Sequence, residues 1–293
     1  MALLISESKD PYFNLALEEY ILRSKRFNED VLLVWQSEKA FVFGRNQNPF
    51  IEIHPKYWQT DIPIIRRISG GGTIYQDQGT LVFSIITSDY GKKINDYEFF
   101  LSPLIDLLNA LGILAYFKPK SHVFIDNKKI SGNAQAFINN KLLHHGTVLF
   151  NTDLNIINEA LVKYNQLPNT DFIASNKQTV TNISSFISSD IDMYSFKQLL
   201  IKRYLEDKNI QKEIYDLGEE DLKAIEALAD SKYHSWEWNF GKAKRCELEI
   251  TFDNQKFKLV IESGYIVSVN EDQFAFLIGK KFSDSELSNL VKK

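Results

Sequence analysis

The chain has 293 residues and a formal net charge of −4, from 34 Lys plus Arg against 38 Asp plus Glu. This balance argues against a nucleic-acid-binding protein, which usually carries a basic face. No apolar run approaches the ~20 residues of a membrane helix, and the N-terminus lacks the basic-then-apolar pattern of a signal peptide. The single cysteine, Cys246, cannot form an internal disulfide. The sequence therefore predicts a globular protein of the cytoplasm that has no membrane partner.

The order of the predicted elements indicates a mixed α/β domain followed by a small α+β domain. Asp10 suits the cap of a first helix, with Pro11 in its first turn. Strands are predicted over 31–35, 40–43, 64–68, 81–87, 113–117, 123–125, 128–136 and 141–150, with an Asn139-Asn140 turn before the last. Helices are predicted over 97–111, 154–162, 195–205 and 219–229, and further strands over 246–252, 256–261 and 266–269. We expect the boundary near residue 234, giving domains of 1–234 and 235–293.

Several common catalytic motifs are absent from the sequence. There is no GxxxxGK[ST] phosphate loop, no GxGxxG after a first strand and no GxSxG nucleophile elbow. The five histidines form no HExxH pattern and have no CxxC to join them, so no protein metal ligands are predicted.

The segment RRISGGGTIY (66–75) is the most unusual stretch of the chain. Three consecutive glycines cost conformational entropy on folding, and they favour a place where bare backbone N–H groups approach an anion. Strand alternation puts Arg67 and Ser69 on one face and Arg66 on the other. A guanidinium and a hydroxyl beside exposed amides suit a phosphate, while a glycine-rich bend beside two surface arginines is the simpler alternative.

The segment KKISGNAQ (128–135) predicts a strand with one polar face. Alternation places Lys129, Ser131, Asn133 and Gln135 on that face and Lys128 on the other. Such a face lines a polar pocket, and a solvated edge strand is the alternative.

The segment LHHGTVLF (143–150) holds two adjacent histidines. Adjacent strand residues point to opposite faces, so we expect His144 and His145 not to share a metal ion and one of them to be packed and hydrogen-bonded. Gly146 allows a close backbone approach. Upstream, GRNQNP (44–49) offers a further cation, Arg45, on a loop after a strand.

Seven segments, in order and at the approximate spacing, resemble the lipoate–protein ligases. They are DPYFNLALEEY, FGRNQNPFIE, RRISGGGTIY, KKISGNAQ, LHHGTVLF, VTNIS and SWEWNFG, and together they extend from residue 10 to residue 241. The resemblance implies an α+β fold, with a mixed-sheet biotinyl/lipoyl-ligase catalytic domain related to class II synthetase cores and a smaller C-terminal α+β domain.

The resemblance also implies an activity. Such ligases use ATP and Mg²⁺ to convert lipoate to lipoyl-AMP and pyrophosphate. They then transfer the lipoyl group to a lysine of a carrier domain, either in a 2-oxoacid dehydrogenase complex or in the glycine-cleavage carrier protein. A monomer is expected.

By the same resemblance Lys129 is the catalytic residue, a cation of ordinary pKa that lies beside the carbonyl and α-phosphate of the adenylate. The implied substrate- and nucleotide-binding residues are Arg45, Arg67, Ser69, Gly70, Gly71, Gly72, Thr73, Tyr75, Asp77, Thr80, Ser131, Gly132, Asn133, Ala134, His145, Gly146 and Thr147.

The chain departs from the family pattern at three places. After the glycines, Gln76 and Thr80 replace a histidine and an asparagine, and Ser121-His122 replaces an Asn-Asp pair before the KKISG strand. The tail after SWEWNFG is short for the family, so the second domain is expected to be reduced.

Three alternatives stay open at this point. An acyltransferase of the same fold would need a reactive thiolate, and Cys246 lies in a predicted C-terminal strand with no motif around it. A biotin ligase would need a basic GRGRxGR-type loop, which is absent. A degenerate, non-catalytic binding module is the third reading, and it would explain the departures at Gln76, Thr80 and Ser121-His122.

Overall fold

The computed structural model describes residues 1–27, 29–88, 91–118, 121–161, 178–188, 190–206, 215–252 and 255–283. The strands are β1 (Ala2–Ile5), β2 (Val31–Trp35), β3 (Ala40–Phe43), β4 (Ile64–Arg66), β5 (Ile74–Gln76), β6 (Thr80–Thr87), β7 (Ala115–Lys118), β8 (His122–Ile125), β9 (Lys128–Ile138), β10 (Lys141–Leu149), β11 (Cys246–Phe252), β12 (Gln255–Glu262) and β13 (Tyr265–Val269). The α-helices are α1 (Pro11–Arg23), α2 (Pro49–Glu52), α3 (Tyr97–Ala110), α4 (Leu154–Ala160), α5 (Met193–Glu206) and α6 (Glu219–Leu228). The expected α+β class with mixed sheets is confirmed. No helix in the described ranges is long and apolar enough to cross a membrane.

Local sequence explains most element ends. The side chain of Asp10 accepts from the backbone N–H of Tyr12 at 2.8 Å and caps α1. Asn139 and Asn140 both adopt positive φ, 51° and 58°, as a two-residue hairpin turn between β9 and β10 requires. The predicted helix over 154–162 ends at Ala160, and residue 162 lies outside the described part of the chain.

A seven-stranded sheet forms the centre of the fold, in the order β1-β2-β6-β10-β9-β8-β7. Only β1 and β2 pair in parallel, and the other neighbours are antiparallel. Helices α3 and α5 pack on one face through a large apolar cluster, while α1 and α6 pack on the other face. Both faces are covered, which explains the near-continuous apolar runs in β2 and β6.

A second sheet, in the order β4-β3-β5, packs near the α1 face of the first. Its other side shares one apolar cluster with the three C-terminal strands β11-β12-β13. Residues on both sides of position 234 therefore pack in one continuous core, which fixes the C-terminal strands against the sheet that carries the glycine segment.

Arg66 joins these parts through hydrogen bonds to backbone carbonyls. Its guanidinium donates to the carbonyl oxygens of Arg45 at 2.6 Å, Gln47 at 3.0 Å, Trp238 at 2.9 Å and Asn239 at 2.9 Å. The side chain is 1% exposed. Arg66 thus ties the GRNQNP loop to the SWEWNFG segment, and burial lowers its pKa to about 10.

Gly44 provides a close approach between the GRNQNP loop and the glycine segment. A Cβ at Gly44 would lie 2.1 Å from the carbonyl oxygen of Gly71, a backbone atom that cannot move aside cheaply. A Cβ at Gly70 would meet nothing within 4 Å. Gly70 can therefore accept a side chain, whereas Gly44 cannot do so without moving the backbone.

We expect Gly44→Ala to lower the free energy of unfolding by about 1–3 kcal/mol, because the added methyl group overpacks against backbone. Gly70→Ala is the matched control, expected to change stability by less than about 0.5 kcal/mol. Urea unfolding of the three proteins measures both. Equal destabilisation by the two substitutions would contradict the packing described for Gly44.

Candidate active site

A cavity of about 330 Å³ lies between the α1 face of the large sheet and the glycine segment of the second sheet. Its floor is a row of cross-strand neighbours, one from each of five adjacent strands: Trp35, Val82, Thr147, Gly132 and His122. Neighbouring strands are ~4.8 Å apart, so the row runs ~19 Å from an aromatic end to a polar end. The geometry suits an elongated ligand with one apolar and one polar end.

The apolar end is lined by side chains that the motif analysis did not single out. Leu15 comes from α1, Trp35 from β2, Val42 from β3 and Val82 from β6. Each is also part of the apolar core on the α1 face. In sequence they look like ordinary core residues, and only the long-range packing of four elements shows that they border a cavity.

Arg67 lies over the opposite part of the cavity and shapes the glycine loop. Its guanidinium donates to the carbonyl oxygens of Gly70 at 2.5 Å and Gly72 at 2.9 Å, and to Ser69 Oγ at 3.0 Å. A further bond to the carbonyl of Val42 at 3.1 Å holds it to β3. Most of its donors are therefore used inside the protein, so Arg67 acts on a ligand largely as a buried positive charge.

Lys129 supplies a second cation at the polar end. Burial, followed by the nearby charge of Arg67, lowers its pKa to about 8, so the ordinary value expected from the sequence is wrong. A Cβ at Gly132 would lie 3.4 Å from Lys129 Nζ, which places the ammonium directly over the cavity floor. The backbone of Lys129 is fixed by bonds to Thr179 and Thr181, at 2.8 and 3.1 Å.

The predicted common face of Lys129, Ser131, Asn133 and Gln135 is wrong. A bulge leaves Ile130 without a cross-strand partner, because Lys129 pairs with Phe124 while Ser131 pairs with Val123. The extra residue reverses the alternation, as a β-bulge does. Lys129 therefore lies on the cavity face with Gly132 and Ala134, whereas Ser131, Asn133 and Gln135 lie on the opposite face of β9.

The two adjacent histidines of β10 separate as the alternation predicts. His144 packs on Phe100 with ring centroids 4.4 Å apart, and burial lowers its pKa. His145 faces the cavity and joins a hydrogen-bonded chain. Gly146 makes room for Asn133, whose Oδ1 would lie 1.7 Å from an added Cβ, so the close approach is by a side chain and not by backbone.

The hydrogen-bonded network around His145 includes Glu18, a residue that no motif singled out. His145 Nδ1 lies 2.9 Å from Glu18 Oε2, and its Nε2 lies 2.6 Å from Ser69 Oγ. Ser84 donates to Glu18 Oε1 at 2.5 Å. Since a carboxylate accepts, His145 donates from Nδ1 and accepts the Ser69 hydroxyl at Nε2. The sequence signal was the helical spacing, which places Glu18 on the same buried face of α1 as Leu15 and Ile21.

Three of the five buried side-chain polar atoms that lack a hydrogen-bond partner in the described structure belong to side chains of the cavity lining: Trp35 Nε1, Tyr75 Oη and His122 Nδ1. A fourth, Asn133 Oδ1, lies on the opposite face of β9 beside Gly146. Buried polar atoms are nearly always satisfied in folded proteins, so their concentration at one cavity indicates that a polar ligand completes the site.

Twelve of the eighteen residues expected from the resemblance line the cavity: Arg67, Gly71, Gly72, Thr73, Tyr75, Lys129, Gly132, Asn133, Ala134, His145, Gly146 and Thr147. Six lie outside its lining. Ser69 and Gly70 accept hydrogen bonds from the Arg67 guanidinium but do not line the cavity. Arg45 is exposed on its loop. The other three hold structure: Asp77 accepts from the N–H groups of Gly79 and Asp153, Thr80 bonds to Thr152, and Ser131 accepts from Asn133.

The described donor set does not fit a protein-bound magnesium ion. No Asp or Glu of the described residues lines the cavity, and the described ranges contain no cluster of three metal-ligating side chains. Protein sites for Mg²⁺ normally supply at least one carboxylate. We therefore derive no step through a metal held by this chain.

The buried Lys129 gives the site a measurable stability cost. Because its folded pKa is about 8 and its ordinary value 10.5, the unfolded chain binds more protons between these values, and stability rises with pH across that window. We expect Lys129→Met to raise the free energy of unfolding by about 1–3 kcal/mol at pH 7. The difference from the wild type should shrink between pH 8 and pH 10.5. Urea unfolding as a function of pH tests this, and a variant less stable than the wild type at pH 7 would contradict it.

Comparison with known proteins agrees with this architecture. The sequence profile of the lipoyl protein ligase A/B catalytic domain matches residues 10–205. Lipoate–protein ligase 1 of Staphylococcus aureus is 31% identical over 283 residues, which cover 96% of this chain and 85% of that protein.

Two solved structures share the fold. The bipartite lipoate protein ligase of Thermoplasma acidophilum, studied with its E2 lipoyl domain, has a TM-score of 0.70 at 25% identity and covers 81% of this chain and 95% of its own. A lipoate-protein ligase A bound with ATP has a TM-score of 0.68 at 25% identity, with coverages of 81% and 97%. The chain therefore belongs to the lipoyl protein ligase A/B family and is a ligase enzyme.

Proposed function

We propose that this protein is an ATP-dependent lipoate–protein ligase that makes lipoyl-AMP and passes the lipoyl group to a lysine of a carrier domain. The observation that carries the proposal is the single cavity that joins an apolar end at Trp35 to a cationic end at Lys129. A medium-length acid would place its tail at the first end and its carboxylate at the second.

The chemistry requires stabilisation of negative charge. A carboxylate is a poor acyl donor, and a mixed anhydride with AMP provides a good leaving group. As the carboxylate attacks the α-phosphorus, negative charge develops on the α-phosphate oxygens and on the departing pyrophosphate. When the amine later attacks the adenylate, negative charge develops on the carbonyl oxygen. Preorganised cations and N–H groups in a desolvated site stabilise that charge strongly. Lys129, Arg67 and the Gly71–Gly72 backbone supply them in our proposal.

The lowered pKa of Lys129 strengthens this role. The ammonium is desolvated, so its attraction to a bound phosphate is less screened than at the surface. Binding of a phosphate would raise its pKa again and keep Lys129 fully charged at neutral pH. The stability that the free protein loses by burying this charge is thereby recovered when the nucleotide binds.

The remaining assignments follow from the family. We propose that the acceptor is a lipoyl carrier domain, since the Thermoplasma ligase is described with its E2 lipoyl domain. A 2-oxoacid dehydrogenase complex and the glycine-cleavage carrier are both candidates. We further propose that residues 1–234 carry the chemistry, that 235–293 form an accessory unit, and that the protein works in the cytoplasm. ATP would bring Mg²⁺ on its phosphates.

A thioester route through Cys246 is disfavoured by its position. The thiol is 2% exposed in β11, and burial raises its pKa to about 11. A cysteine nucleophile must be accessible and largely ionised near neutral pH. Cys246 is also not among the residues that line the described cavity.

Lipoate-dependent exchange between ATP and pyrophosphate tests the activation step. We expect radiolabelled pyrophosphate to enter ATP only when lipoate or a related acid is present, because the exchange requires reversible formation of the adenylate. Omission of the acid is the control. Tight binding of lipoate and ATP without exchange would instead support a degenerate binding module.

Lys129→Ala should reduce lipoyl transfer to a carrier by at least 100-fold, because it removes the charge that the transition state needs. Lys128→Ala is the matched control, since the neighbouring Lys128 is exposed. Transfer is measured by gel shift or mass of the carrier. Wild-type transfer by a cooperatively folded Lys129→Ala protein would refute the assignment.

A further inference from the structure

His122 occupies the polar end of the cavity floor. It begins β8 and pairs with Gly132, so its side chain points to the same face as Lys129. A Cβ placed on Gly132 would lie 3.4 Å from Lys129 Nζ and 3.9 Å from His122 Nδ1. The ammonium and the imidazole therefore flank one point above Gly132, where the polar end of a ligand would lie.

His122 Nδ1 is buried and has no hydrogen-bond partner among the described residues, whereas the residue as a whole is half-buried. The two other central histidines differ from it: His144 is packed on Phe100, and His145 is bonded on both sides by Ser69 and Glu18. His122 is thus the cavity imidazole with capacity left for a ligand.

The surroundings keep this imidazole uncharged. Burial contributes most, and the charges of Lys129 and then Lys118 add to it, lowering the pKa of His122 to about 4. A hydrogen bond to the backbone of Ser121 acts in the other direction. Among the residues that the structure describes, no carboxylate lines the cavity to offset the lysines. At neutral pH the ring therefore carries a free lone pair in a strongly cationic pocket.

The proposed transfer step needs a proton acceptor at this place. The acceptor amine attacks the carbonyl carbon of the acyl-adenylate, a C–N bond forms, and the C–O bond to AMP breaks. One proton must leave the nitrogen that becomes the amide. Lys129 and Arg67 are cations and cannot take it, and His145 already accepts the Ser69 hydroxyl.

We propose that the imidazole of His122 accepts the proton of the attacking lysine amine during lipoyl transfer. This inference rests on the proposed ligase function. The proton then passes from the imidazolium to the phosphate of the departing AMP or to water, so no further reactant is needed. The negative phosphate of the bound adenylate offsets Lys129 and makes the imidazole more basic at the moment of transfer. The same lysines favour the uncharged form of the incoming amine.

The two half-reactions separate this role from nucleotide binding. We expect His122→Ala to lower transfer from chemically prepared lipoyl-AMP to an apo lipoyl domain about 100-fold more than it lowers lipoate-dependent pyrophosphate exchange, since about 100-fold is the usual effect of losing a general base. Added imidazole should restore part of that transfer in His122→Ala, and His122→Asn should show the same loss without the rescue. His54→Asn is the control, because His54 is exposed and lies outside the cavity.

Each outcome decides the proposal. Equal loss of exchange and transfer in His122→Ala would make His122 a nucleotide contact and overturn it. Unchanged transfer in a correctly folded variant would overturn it as well. If the wild-type protein shows no lipoate-dependent exchange, the ligase function fails and this proposal fails with it. A wild type active in both steps confines any failure to His122.

Discussion

Two adjacent arginines are buried here against backbone carbonyl groups, and the arrangement of the site depends on them. Arg66 donates to four carbonyls of the GRNQNP and SWEWNFG segments, and Arg67 donates to carbonyls of Val42, Gly70 and Gly72. A buried charge is costly unless it is hydrogen-bonded. Carbonyl partners satisfy the donors, and the charge of Glu18 offsets part of the charge of Arg67. Within the described ranges no carboxylate lines the cavity, so a net positive potential remains there.

This constraint links stability to function. The same burial that lowers the pKa of Arg67 and Lys129 makes the free protein less stable, and it prepares the site for a polyanion. The glycines let the loop curl around Arg67, since Gly71 adopts a φ of 90° and a Cβ there would lie 2.8 Å from the guanidinium. Binding of a phosphate would supply the missing negative charge. We therefore infer that the buried positive charges destabilise the free protein and that binding of the nucleotide removes this cost.

The sequence predicted much of this structure, and its errors have physical causes. Most strands and helices lie where the patterns placed them, because each has a clear apolar period and a cap or turn at its end. The common face expected for Lys129, Ser131 and Asn133 was wrong, since one bulged residue reverses a strand and leaves no mark in the alternation. No motif pointed to Glu18, and His122 stood out only as a departure from the family pattern, because the roles of both depend on contacts far away in the sequence.

The sequence motifs indicated the family, whereas the strand pairing and the side-chain contacts located the site. Seven ordered motifs indicated the family, and the profile match over residues 10–205 confirmed it. The motifs could not show that Asp77 and Thr80 hold a turn outside the cavity lining, or that Trp35 and His122 end one cross-strand row. Those facts depend on the order and register of the strands in the sheet. The motifs could not show them, because strand pairing is set by the whole chain.

The central claim is that one cavity activates an acid with ATP and delivers it to a carrier lysine. Intact-mass analysis of an apo carrier domain tests it most directly, with the protein, ATP and either lipoate or octanoate present. The account predicts that the carrier gains the mass of one acyl group, only when ATP is present. Acylation without ATP, or no acylation of any carrier by a folded protein that binds both substrates, would contradict it.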